Sequence, residues 1–236
     1  MKTADRSYHH GNLKDALITA AAELIEEHGS LDFSITDAAR RAGVSNAAPY
    51  RHFKDKEDLL LNVRRLAFMG LHERLSATVE APGMHAGSID TVVALGLAYL
   101  QYTREKRAFF SVMWEDRGRM DEVRADAMIK TDGFRILVNA VEDFCRSKGH
   151  LDDLGRPRGQ YCEPVSVATQ LWALAHGIAT LEANQMLDLF DRSATAENLL
   201  SESTRALLVG LQLDRPPKRP ASTDLDHSNQ QVELPL

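Results

Sequence analysis

Apolar residues recur at helical spacing along most of the chain, and no alternating strand pattern of useful length is present. Leu13, Leu17, Ala20, Ala21, Leu24 and Ile25 form one stripe, closed by Gly29. Ile35, Ala38, Ala39 and Ala42 form a second stripe of small residues. It opens at Ser34 with Asp37 three residues on, the spacing of a capping box. It closes at Gly43, where a helix can end in a left-handed residue. Ser45 predicts the cap of another short helix, with Phe53 turned inward, and Asp55 the cap of the next. A long helix is predicted over about 56–79, with Leu59, Leu60, Val63, Leu66, Ala67 and Leu71 inward, and Ala81-Pro82-Gly83 stops it. At ~1.5 Å per residue such a helix spans about 35 Å and can join two domains.

Further helices are predicted over 89–104, 107–115, 120–147, about 165–189 and 196–211. The helix from Val165 is the most hydrophobic, and Gly155, Pro157 and Gly159 break the stretch before it into a loop. From Asp214 onward, Pro216, Pro217, Pro220 and polar residues predict a disordered tail over 214–236. The fold expected is all-α, with a boundary near residues 55 and 56.

One segment carries chemistry. Residues 34–56, SITDAARRAGVSNAAPYRHFKDK, read as a helix, a glycine turn and a second helix, the shape of a DNA-reading helix-turn-helix. Asn46, Ala47 and Ala48 are short enough to let the second helix sit deep in a major groove. There Asn can reach base edges and Ala a thymine methyl. Tyr50, Arg51 and His52 can donate to phosphates, and the first turn of the next helix brings Lys56 toward the backbone. Pro49 removes one intrahelical bond, a loss tolerable near a helix start. Arg40, Arg41, Arg51, Lys54 and Lys56 face the single acid Asp55, while the whole chain carries a net charge of −6. A local basic patch on an acidic protein is a nucleic-acid footprint. A plain helical hairpin with a solvated basic face fits the same residues.

The segment resembles the TetR/AcrR family of bacterial transcriptional regulators. The residues that carry the likeness are Ala38-Ala39-Arg40-Arg41-Ala42-Gly43-Val44-Ser45, Tyr50-Arg51-His52-Phe53 and Lys54 to Leu60, with Asn12-Leu13 through Glu27-His28-Gly29 before them. Trp172 to Gly177 is similar to a Trp-His-Gly signature in one subgroup. Two positions depart: Thr36 stands where many members carry a basic residue, and Ala48-Pro49 replaces the commoner Thr-Leu. The resemblance implies a three-helix DNA-binding domain over 1–55, with Thr36, Ser45, Asn46, Ala47, Tyr50, Arg51, His52 and Lys56 at the DNA. It implies a larger helical domain over 56–213 that binds an effector and dimerises through its last two helices. The expected partners are a double-stranded DNA operator, a small hydrophobic effector and a second copy of the chain.

Tyr99, Phe110, Met113, Trp114, Trp172 and His176 are the candidate effector pocket, although each alone also suits core packing. Tyr102 and Gln170 are further polar candidates. His176 lacks partners at ligand spacing, so no metal or other cofactor is expected. The chain has no GxSxG, P-loop or GxGxxG pattern, which leaves a helical enzyme as the remote reading. A dimeric regulator that needs no ligand is the nearer alternative. Cys145 and Cys162 are the only cysteines, and no structural disulfide is expected of them. No run of eighteen apolar residues and no apolar leader stands in the sequence, so a cytoplasmic protein without membrane spans is expected.

Overall fold

The computed structural model describes residues 13–114, 127–152, 154–156, 163–189 and 192–213. Cys162 and the expected disordered tail lie outside them. Among the described residues there are eight α-helices and no strand. They are α1 (Leu13–His28), α2 (Ile35–Arg41), α3 (Lys56–Val79), α4 (Ile89–Glu105), α5 (Arg107–Trp114), α6 (Ala127–Ser147), α7 (Pro164–Ala183) and α8 (Ala196–Leu213).

Local chemistry sets most of the boundaries. At α2 the capping box forms: Asp37 N–H donates to Ser34 Oγ at 3.2 Å, and Ser34 N–H to Asp37 Oδ2 at 2.9 Å. Gly43 then takes φ 71°, which a side chain resists. Asp55 Oδ1 accepts from Asp58 N–H at 2.8 Å and starts α3. At α7 the Glu163 carboxylate accepts from Val165 and Ser166, and Pro164 occupies a first-turn position where its missing N–H is no loss.

Three expectations change. The helix from Val165 ends at Ala183 instead of running to Leu189, because Gln185 turns to φ 55° and a separate 3-10 turn follows over Leu187–Leu189. Leu66 lies on the outer side of α3, 37% exposed, and not inward. Cys145, buried on α6, is disulfide-bonded, where no structural disulfide was expected.

Two apolar cores share α3. The N-terminal core gathers Leu17, Ala21 and Ile25 of α1, Ala38 and Ala39 of α2, Phe33, Phe53, and Leu59 and Val63 of α3. The C-terminal core gathers Leu71 and Leu75 of α3 with α4, α6, α7 and α8 around Leu95, Leu100, Phe144, Leu171 and Leu208. The helix α5 belongs to both. Its Val112 is fully buried in the N-terminal core, its Phe110 and Met113 in the C-terminal one, and Phe109 packs against each.

Candidate DNA interface and effector cavity

The α1–α2 pair is held by small residues and by charge. Ala38 and Ala39 are fully buried, which brings the two axes close. Arg41 reaches from α2 to Glu27 and Glu23 of α1, and its guanidinium holds the Glu27 carboxyl below its usual range. The Ser34 hydroxyl and backbone do the same for Asp37. Arg40 pairs with Asp37 at 3.0 Å. Both basic residues of α2 are thus engaged within the domain.

The element after Gly43 is not the second regular helix that the sequence suggested. Residues 46–48 form a turn, and a single 3-10 turn follows over Pro49–Arg51. Pro49 has no N–H to return to the Ser45 carbonyl, so Ala48 N–H takes that carbonyl at 2.9 Å instead. Tighter bonds then wind Arg51 to Ala48 and His52 to Pro49, before Phe53 N–H closes on the Pro49 carbonyl at 2.9 Å. Pro49 itself is buried, which seats the element on the core. Ala48, and not Ser45, stands at its N-cap, and no side chain caps it.

Of the DNA candidates, Ser45, Asn46, Ala47, Tyr50, Arg51 and His52 are exposed on one continuous segment, with Tyr50 57% exposed. Thr36 is half-buried, its hydroxyl 2.8 Å from that of Ser34. Lys56 is turned inward: its Nζ donates to the Leu31 carbonyl at 2.5 Å and sits 4.7 Å over the Phe33 ring. The ammonium is spent on the domain, so a phosphate contact would require it to leave two partners.

A cavity of about 430 Å³ opens within the C-terminal core. Of the six pocket candidates, Tyr99, Met113, Trp114 and Trp172 line it. Phe110 and His176 stand behind the lining. The His176 ring lies 5.5 Å from Trp172, nearly parallel, and 5.1 and 5.4 Å from Trp114 and Phe110. Its Nδ1 is 3.0 Å from the Tyr99 hydroxyl. Burial pushes the imidazole down from its ordinary value and the Tyr99 phenol well up, so both are neutral near pH 7. The two share one hydrogen bond, its direction set by the imidazole tautomer.

Two polar candidates fall away. Tyr102 donates to the Ala67 carbonyl at 2.6 Å, and Gln170 is exposed and away from the cavity. Sequence reasoning missed much of the lining: Phe68 and Leu75 of α3, Gly96 of α4, Gly133 and Phe134 of α6, and Thr204 of α8. Gly96 carried a signal only in hindsight, since a Cβ there would meet Leu200 at 2.9 Å. Among the described residues no group of three or more His, Cys, Asp or Glu could hold a metal ion.

Comparison with known proteins gives the geometry a family. Residues 17–63 match "Bacterial regulatory proteins, tetR family", and residues 92–204 match "Tetracyclin repressor-like, C-terminal domain". The HTH-type transcriptional regulator BetI of Agrobacterium fabrum is 31% identical over 112 residues, 47% of this chain and 54% of that protein. The chain thus spans about half the length of the curated relatives it matches. A solved structure of a protein of unknown function from Rhodococcus sp. RHA1 superposes with TM-score 0.67 at 27% identity, over 88% of this chain and 100% of that one. A TetR/AcrR-family transcriptional regulator from Thermobifida fusca superposes with TM-score 0.54 at 22% identity, over 84% and 97%, and shares the fold. The chain belongs to the tetR family of bacterial regulatory proteins, a family of regulators and not of enzymes.

Proposed function

We propose that the protein is a cytoplasmic, dimeric transcriptional repressor that binds an operator through residues 34–56 and is released by a small hydrophobic effector. The observation that carries the effector part is the double membership of α5. Val112 is packed in the N-terminal core, while Met113 and Trp114, the next two residues, line the cavity. The buried Arg64 of α3 donates from Nε to the Val112 carbonyl at 2.7 Å, and Lys106 just before α5 pairs with Glu26 of α1 at 2.8 Å. An occupant that moves the end of α5 therefore pulls on the domain that carries the DNA residues. A ligand shifts such an equilibrium only by its differential affinity for the two states, typically about 1–3 kcal/mol.

Dimerisation is supported by the outer faces of α7 and α8. Val165, Ala173, Gly177 and Leu181 on one, and Leu199, Ala206, Val209 and Gly210 on the other, are exposed. A Cβ at Gly177 or Gly210 would meet nothing within 4 Å in the single chain, which leaves room for a close helix–helix approach. Two copies set recognition segments about 34 Å apart, one turn of the duplex. No helix among the described residues is long and apolar enough to cross a membrane. By its printed description SmeT of Stenotrophomonas maltophilia, which shares the fold at 20% identity and TM-score 0.50, represses a multidrug efflux pump.

The test is a mobility-shift assay on the DNA flanking the protein's own gene, with and without candidate hydrophobic ligands. Specific retardation reversed by a ligand is expected, and Arg64→Met, shown folded by circular dichroism, should retain the complex but resist its release. Retardation that no ligand reverses favours the ligand-independent regulator. No specific retardation sinks the DNA-binding reading.

A further inference from the structure

We infer that Trp114 is the sensing residue of the cavity: its indole N–H pairs with an acceptor oxygen, of the ketone or ester kind, on an uncharged and largely apolar effector. The inference rests on the effector reading above and names the chemistry of that site. Trp114 Nε1 is buried and has no hydrogen-bond partner. A buried donor left unpaired in a native fold calls for an explanation. The Tyr99 hydroxyl, paired with His176 Nδ1 at 3.0 Å, lies near enough to the indole N–H for it to offset a little of the phenol's rise, but the two stand outside hydrogen-bond geometry.

Three other rings pack against the indole. Phe68 stands edge-on at 5.4 Å, Trp172 is tilted at 5.3 Å, and His176 is edge-on at 5.1 Å. Such contacts survive small rotations. The N–H is sealed off, so an incoming oxygen reaches it only as the indole turns. Trp114 is the last residue of α5, and two positions earlier the Val112 carbonyl holds Arg64. The rotation that satisfies the indole therefore begins at the joint between the two cores.

The same lining decides the charge of the effector. The described lining residues include no Lys, Arg, Asp or Glu, and Tyr99 is their only titratable group. Burying a carboxylate or an ammonium there would leave it without a counter-charge. Phe68, Trp114 and Trp172 are closed on one another and not splayed into a cage for a cation. The Thr169 hydroxyl at the cavity is already committed to the Val165 carbonyl at 2.7 Å.

Four probes of one shape test this on the full chain: butylbenzene, 4-phenylbutan-2-one, 3-phenylpropanoate and 3-phenylpropylammonium. Binding is measured by calorimetry and by the indole N–H resonances. The chain has two tryptophans, so Trp172→Phe assigns the signals. The ketone should bind about fivefold or more tighter than butylbenzene, the worth of one neutral hydrogen bond. It should outbind both ions by more, and it should shift the Trp114 resonance. Trp114→Phe should lose the preference for the ketone over butylbenzene. Gly133→Leu places a side chain in the cavity from α6, where a Cβ makes ordinary contacts with Leu75 and Leu71 at 3.6 and 3.9 Å, and should abolish binding of every probe. Equal affinity for ketone and hydrocarbon, tighter binding of either ion, an unmoved Trp114 signal, or no probe binding to the folded protein each overturns the inference. Ketone binding with this signature that leaves operator affinity unchanged sinks the effector reading instead. Operator release with an unmoved Trp114 signal sinks Trp114 and spares that reading.

Discussion

The two cores use small residues to opposite ends. In the N-terminal core Ala21, Ala38 and Ala39 are fully buried, and their size lets α1 and α2 approach closely. In the C-terminal core Gly133 faces the cavity and a Cβ there would find only ordinary contacts, so its missing side chain is part of a void of about 430 Å³. A filled core fixes one geometry, which suits a segment that must present side chains to a rigid groove. A hollow core can repack around an occupant, and α5 joins the two. The largest test of this contrast is a pair of truncations. Phe53→Ala, at a residue 2% exposed in the filled core, should cost about 3–5 kcal/mol, because the surroundings cannot collapse into the hole. Phe134→Ala, half-buried beside existing space, should cost less than half of that. Urea unfolding at one fixed protein concentration measures both, and equal costs would abolish the distinction.

The halves should also part in acid. His176 has its pKa lowered by burial, so below its ordinary value of 6.5 the unfolded chain takes up the proton first. The stability tied to the neutral ring is therefore complete above about pH 6.5 and is lost as pH falls from there toward the lower folded value. Asp37 and Glu27 in the N-terminal half behave as depressed carboxylates. Their contribution stands above their ordinary values of 3.8 and 4.5 and disappears only as pH falls through the lower folded ones. The C-terminal half should thus weaken first, between pH 7 and 5. Both tryptophans lie in that half, and fluorescence-monitored melts at pH 7.5, 6 and 5 follow it. His176→Gln should flatten the dependence, and an equally steep loss in that variant would assign the acid sensitivity elsewhere.

The helices bounded by local chemistry were legible in the sequence, and those shaped by distance were not. Ser34 with Asp37, Asp55 and Gly43 act within a few residues of themselves, so the starts of α2 and α3 and the turn between them follow directly. Pro49 was equally local and its missing N–H was visible, but the sequence did not reveal that one lost bond would leave only a 3-10 turn. Helical period puts Leu71, Leu75 and Leu95 inward. Only the separations between helices decide that they face a void and not one another. The aromatic cluster was legible because Trp114 and Trp172 are conspicuous, while Phe110 and His176 turned out to back the lining. Lys56 was read as a phosphate ligand from its charge and place. The carbonyl that takes it belongs to Leu31, 25 residues away.

That last contact gives the finest test. Each phosphate neutralised by a cation contributes about 0.9 to the slope of log affinity against log salt. Arg51 is exposed and joins no ion pair among the described residues, so its charge is available to the DNA. Arg51→Ala should lower the slope by about one contact while leaving the melting temperature near that of the parent. Lys56→Met should do the reverse. Its Nζ serves the Leu31 carbonyl and the Phe33 ring, so stability should fall slightly while the slope stays put. Operator titrations at four salt concentrations, paired with thermal melts of the same preparations, separate the two. A drop in slope for Lys56→Met would mean that the lysine leaves its partners when DNA arrives, and the filled core would then be less fixed than its packing indicates.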